Sequence, residues 1–215
     1  MDAVIDNLAF FIDGFGRTLA LLGIAGIGAF ALGAVVAAMR ISPVASLRMI
    51  ATGYTELVRN TPLTLVLFGC ANVVPYLGAR IDYFTLAAIG LTVYTSPFIA
   101  EAIRSGVNGV PIGQAEAARS IGLTFGQSLT TVVLPQAIRM VIPPLINVVI
   151  ALTKNTSVAG AFFVFELLAA ARRVINLRGD ETIMILLAAA VFYLVITIPL
   201  GLIAGRIENK VAVLR

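Results

Sequence analysis

The chain is 215 residues long, 60% of them hydrophobic and 12% charged, with a formal net charge of +4. That balance lies outside the range of soluble domains and marks an integral membrane protein; with no histidine and one cysteine, a disulfide or an imidazole or thiolate metal cluster cannot be assembled within one chain. The cations are scattered at the ends of apolar runs and form no stripe, so they read as membrane topology and not as a nucleic-acid surface.

A helix needs about 20 apolar residues, at about 1.5 Å each, to cross a bilayer. Residues 1–17 hold Asp2, Asp6, Asp13 and Arg17 among Phe10, Phe11 and Phe15. They lack the basic start and short apolar core of a cleavable secretory signal, so the N-terminus is expected to be mature and to lie near the membrane interface. The first span is predicted over 18–39, where Gly23, Gly26, Gly28 and Gly33 allow neighbouring helices to approach closely. Ser42 and Pro43, between Arg40 and Arg48, predict a turn. A charged pair, Glu56 and Arg59, then leads into an uncharged run over 60–79, with Pro62 near its start, where a missing N–H is tolerated. The second span is predicted within it, to about Tyr76. Asn60 and Thr61, just inside the run, fit either a helix cap or a substrate-lining role. Cys70 reads as packing. After a turn at Arg80 and Asp82 the third span is predicted from Phe84 to Ala100.

The interval 101–135 is polar. It holds Glu101, Arg104, Glu116 and Arg119, turn-prone glycines at 106, 109 and 113, and a small-residue helix at about 114–122. Beyond it, only 14 uncharged residues separate Arg139 from Lys154, about 21 Å as helix and too short to cross. Residues 137–172 are therefore predicted as one interrupted crossing, broken at Lys154, Asn155, Thr156 and Ser157. Broken helices expose backbone groups to polar ligands, which makes these four residues candidates for the substrate pathway. A lysine at membrane depth must face protein or a water-filled cavity and be paired, so Lys154 is alternatively a partner for Glu101 or Glu166, or reaches an interface. The last span is predicted over 182–205, followed by Arg206, Glu208, Lys210 and Arg215.

Five crossings place the termini on opposite sides. Arg40, Arg48, Arg59, Arg104, Arg119, Arg139, Arg206, Lys210 and Arg215 share one side, against Arg17, Arg80, Arg172, Arg173 and Arg178 on the other. The side richer in cations is the cytoplasmic one, which puts the C-terminus and the 101–135 interval in the cytoplasm and the N-terminus outside.

Within that interval Glu116, Ala117 and Ala118 are followed after three residues by Gly122, and after eleven more by Leu134 and Pro135. This pattern resembles the EAA loop of the membrane subunits of binding-protein-dependent ABC importers. In that family the loop forms a short cytoplasmic coupling helix that docks in a groove of the ATPase. The alanines favour helix with a flat face and the glycine permits a tight stop; Glu116, with Arg119 beside it, would meet the groove wall. The stretches YTELVRNTPL, YTSPFIAEAIRSGVNGVPIGQAEAARSIGL, VVLPQAIRMVIPPLINVVIALTKNTSV and FELLAAAR are similar to the polar amino acid branch, whose members import histidine, arginine, glutamine or glutamate. The likeness covers about 15–210. Val132 and Val133 stand where isoleucine is usual, and Asn155 stands where the family has an aspartate.

The resemblance implies an all-α membrane protein of the type I importer permease class, a single transmembrane domain over 1–215 with about five spans and a coupling helix. It implies ABC ATPase subunits, a second permease subunit (identical or related), an extracytoplasmic amino acid binding protein and the lipid bilayer as partners, with glutamate the favoured substrate. Only two lysines are present and neither follows a glycine, so no phosphate-binding loop exists. ATP and Mg would be bound by the partner ATPase, and this chain carries no catalytic residue, cofactor or metal site. The alternative is an ion-coupled secondary amino acid carrier or channel; the chain shows no internal repeat and no acid in its uninterrupted spans, as such carriers commonly do. A purely structural scaffold leaves the EAA spacing unexplained.

Overall fold

A short helix, Asp2–Asp6, leads into α1 (Leu8–Ile41), whose 34 residues reach about 51 Å. The computed structural model describes residues 2–212, with side chains to Asn209; Arg215 and the Lys210 side chain, counted above among the C-terminal cations, lie outside the described residues. The segment expected to precede the first span is largely its first turns. Asp13 and Arg17, one turn apart, approach to 3.6 Å on an exposed face, so the helix carries them without burying charge.

α1 lies along α4 (Tyr83–Asn108), and their contacts climb in step. A Cβ on Gly28 would meet Thr92, one on Gly33 would meet Ser96 and Ile99, and Arg40 reaches Glu101. The two helices therefore run parallel, and the chain between them must return to the end at which α1 began. It does so through α2 (Ala45–Arg59) and α3 (Leu63–Tyr76), which meet at 96°.

The second crossing is thus a bent pair, α2 with α3, and not the single span expected within the uncharged run, to about Tyr76. Pro62 is extended, with ψ 137°, and cannot donate to the turn before it. The side chains of Asn60 and Thr61 donate instead to the carbonyls of Glu56 and Leu57, both at 2.8 Å, closing the end of α2. α3 alone has a reach of about 21 Å against a hydrocarbon core of about 30 Å, so α2 must supply the remainder. Gly90 of α4 lets α3 settle close, since a Cβ there would stand 3.1 Å from Cys70 and Leu67.

The turn into α4 is capped by Asp82, which accepts from the Thr85 N–H at 2.9 Å and from its hydroxyl at 2.6 Å. The Thr85 hydroxyl, then its N–H, hold the Asp82 carboxyl below its usual range. After the short helix α5 (Ile112–Ser120), the chain enters α6 (Phe125–Ala159), which is antiparallel to α4. Gly106 faces Val141 at one end of their seam, and Leu91 and Leu152 share a core at the other.

The predicted break at Lys154–Ser157 is absent: α6 continues through these residues to Ala159, and the interruption falls afterwards, before α7 (Leu167–Leu177). Counting from Arg139 underestimated the helix, which begins at Phe125. In this 35-residue helix Arg139 stands about 21 Å from the start, and Lys154, about 22 Å further on, is five residues from the end. Glu166 caps α7 by accepting from the Leu168 and Ala169 N–H groups at 2.9 and 2.7 Å, and Tyr193 of α8 (Thr182–Ala212) donates to it at 2.8 Å. No room exists beside it, for a Cβ on Gly160 would overlap the carboxylate. α8 starts level with the N-terminus, where Ala3 N–H donates to Glu181, and Phe192 stacks on Phe11 at 6.0 Å. α1, α4 and α8 thus share one direction, and no strand occurs among the described residues.

Candidate functional site

The residues Glu116, Ala117 and Arg119 are exposed on α5, and Ala118 turns inward. The helix ends as its glycine requires. Leu123 N–H donates to the Ala118 carbonyl at 3.2 Å and Gly122 N–H to that of Arg119 at 2.9 Å, with Gly122 at φ +89°. That is a Schellman stop, in which the left-handed position costs glycine least. The helix spans Ile112–Ser120, two residues earlier than the sequence expectation of 114–122, because Pro111 starts it with an extended backbone and a fixed φ. Thr124 and Gln127 then form a reciprocal capping box that opens α6. Leu134 and Pro135 stand where α6 leaves a π-helical stretch, Ser128–Val133; the wider turn accommodates the missing N–H of Pro135. Around α5, Ile112, Ile121 and Phe125 are 77%, 79% and 68% exposed, an apolar fringe on which the Arg119 guanidinium stands 5.9 Å over the Phe125 ring.

Beside this surface, Glu101 of α4 gathers cations from three helices. Arg40 from the last turn of α1 and Arg104 one turn on in α4 bond its carboxylate directly, and Arg59 from the end of α2 stands 4.0 Å away with its guanidinium over the Phe98 ring. Arg59 turns to Glu101 and not to its sequence neighbour Glu56, and Lys154 makes no ion pair with Glu101 or Glu166 among the described residues. Tyr54 adds a second tie between α2 and α4, bonding Ser96 at 2.7 Å and donating to the Val93 carbonyl at 3.0 Å.

The six residues expected to line a pathway are divided by the fold. Asn155 faces a cavity of about 410 Å³ between α4 and α6, with Tyr94, Thr95, Phe98 and Asn147. Thr95 is 3% exposed and its hydroxyl has no hydrogen-bond partner among the described residues. Lys154 and Ser157 face a separate groove of about 310 Å³ beside Tyr193 and Thr197 of α8. Thr156 is buried and donates to the Thr153 carbonyl at 2.7 Å, and Asn60 and Thr61 sit at the α2–α3 corner. Tyr94, Thr95 and Asn147 escaped the sequence reading. The signal for Tyr94 and Thr95 is a hydroxyl-rich YTSP run inside an otherwise apolar span, and that for Asn147 is a lone amide in the uncharged run after Pro144.

Residues 29–213 match the family described as binding-protein-dependent transport system inner membrane component. The chain belongs to this permease family. It is 42% identical over 208 residues to the probable glutamine ABC transporter permease protein GlnM of Bacillus subtilis (strain 168), covering 95% of this chain and 94% of that one. It is 40% identical over 214 residues to the glutamate transport system permease protein GluC of Corynebacterium efficiens, covering 94% of each. A chain from the crystal structure of an amino acid ABC transporter with histidines superposes with a TM-score of 0.88 at 28% identity over 96% of each chain. A chain of the MetNI methionine ABC transporter, at 20% identity, has a TM-score of 0.72 over 95% of this chain and 97% of that one, a likeness of fold alone. This permease is therefore a multi-pass membrane subunit, with the Glu101 knot joining its α1, α2 and α4 beside the α5 surface.

Proposed function

We propose that this permease is a single transmembrane domain that, with a second permease subunit, conducts a polar amino acid of the glutamine or glutamate class, driven by ATP that partner ATPases bind with Mg. The chain supplies the path and the mechanical contact, and no catalysis. In this reading α5 is the coupling helix and faces the cytoplasm, the N-terminus lies outside, and an extracytoplasmic binding protein delivers the cargo. The observation that carries it is the exposed α5 with its glycine stop and its apolar fringe of Ile112, Ile121 and Phe125. Glu116, Ala117 and Arg119 would meet the ATPase groove, Ala118 would hold α5 to the bundle, Gly122 would set its end, and Leu134 and Pro135 would aim the helix that follows.

For the path, the cavity with Tyr94, Thr95, Asn147 and Asn155 suits an amino acid better than the Lys154 groove does. It presents amide and hydroxyl groups, which can hydrogen-bond a polar side chain at membrane depth without an ionisation penalty. The names of the glutamine and glutamate relatives support that substrate class.

Reconstitution in proteoliposomes tests the reading. Uptake of labelled glutamine or glutamate is expected only with ATPase, binding protein and ATP all present; uptake by this chain alone under an ion gradient would make it a secondary carrier and overturn the proposal. Glu116→Lys is expected to detach the ATPase on co-purification while the permease still inserts, and unchanged association would remove α5 as the docking element.

A further inference from the structure

Where α1 ends, a cleft of about 610 Å³ opens between α2 and the last turns of α1 and α4, lined by Arg40, Arg48, Met49, Thr52, Glu56 and Arg104. Three guanidiniums (Arg40, Arg48 and Arg104) and one carboxylate (Glu56) line it, and Glu101 with Arg59 stands behind through their ion pairs, so these six groups carry a surplus of two positive charges. Arg48 has no carboxylate partner among the described residues. One of its nitrogens donates to the carbonyls of Ser42 and Pro43, each at 2.8 Å, which fixes the side chain at the α1–α2 corner with charge to spare. The same corner is apolar at its rim: Met49 in the cleft wall is 71% exposed, and Ile41 and Val44 beside it are about half exposed.

A surplus of positive charge next to uncovered apolar side chains, at the end of a membrane-crossing helix, matches an anion that carries hydrocarbon. A soluble anion would use the guanidiniums and leave the rim bare. We propose that this cleft holds the phosphate of an anionic phospholipid from the leaflet at this end of the bundle, with an acyl chain along Ile41, Val44 and Met49. Arg48 provides the free charge-assisted hydrogen bonds, Arg40 and Arg104 provide field while remaining on Glu101, and Glu56 opposes binding.

Native mass spectrometry of the permease–ATPase complex, released from vesicles of mixed phosphatidylglycerol and phosphatidylcholine, reads the bound lipid directly. Phosphatidylglycerol is expected to be retained in preference to phosphatidylcholine. Arg48→Gln is expected to lower its retention about five-fold, the equivalent of one interfacial cation, and Arg48→Lys to restore part of the loss. Glu56→Gln is expected to raise retention, a gain that a misfolded variant cannot imitate. Equal retention of the two lipids, or no response to Arg48→Gln and Glu56→Gln, overturns the proposal. Release of the bound phosphatidylglycerol by millimolar inorganic phosphate also overturns it, by assigning the cleft to a soluble anion.

Discussion

The guanidinium of Arg40 closes on the carboxylate of Glu101 across 61 residues of sequence, tying the last turn of α1 to α4 just before the chain enters α5. Glu101→Ala strands Arg40, Arg59 and Arg104 together in a partly buried site. Leaving such groups unsatisfied costs about 1–3 kcal/mol, so the melting temperature of the purified permease should fall. The double variant Arg40→Met with Glu101→Leu should recover part of it, since it removes the most buried of the three stranded charges and leaves Arg59 and Arg104. A double variant no more stable than Glu101→Ala would show that the pair does not act as a unit.

Gly106 and Val141 define the α4–α6 seam, because any Cβ at 106 would overlap the Val141 side chain. Gly106→Val should destabilise by about 1–3 kcal/mol, the usual range for overpacking. Val141→Ala should recover part of the loss, since it removes the overlapping methyl but keeps a Cβ and backbone N 3.1 Å away, whereas Gly113→Ala, where a Cβ meets open space, should change little. Thermal aggregation in detergent distinguishes these outcomes.

At the end of α5, Gly122→Ala forces an alanine into φ +89° at a cost of about 1 kcal/mol. Under the proposed coupling role, ATP-driven uptake should fall more than the yield of inserted permease. Equal losses of both would mean that Gly122 serves folding alone.

Tyr193→Phe removes the one side-chain donor to Glu166 among the described residues and should cost about 1 kcal/mol. Glu166→Leu also strips the acceptor from the first N–H groups of α7 and should cost about 3 kcal/mol. Faster hydrogen exchange at Leu168 and Ala169 in the second variant, and not the first, would locate the loss at the cap.

The sequence revealed the spans built on 18–39, 84–100 and 182–205 because each is an uncharged run of about bilayer length. It concealed the bend at Pro62, since a proline at the start of a run and one at a corner look alike, and Arg48, Glu56 and Arg59 hid α2 as part of a crossing. Lys154 resembles a break because its charge interrupts the apolar run, yet five further helical residues follow it. The EAA spacing carried the α5 site, glycine stop included, because each of its parts is local. The Glu101 knot and the cavity at Thr95 and Asn147 join residues far apart in the chain, so only the fold could assemble them.

The parallel packing of α1 and α4 has a mechanical consequence. Glycines seat the two helices against each other along their length, Arg40 and Glu101 rivet their ends, and only three residues separate α4 from α5. A push on α5 would then swing α1 and α4 together as one lever arm. The compliant joint is the α2–α3 corner, where the helical ladder is already interrupted.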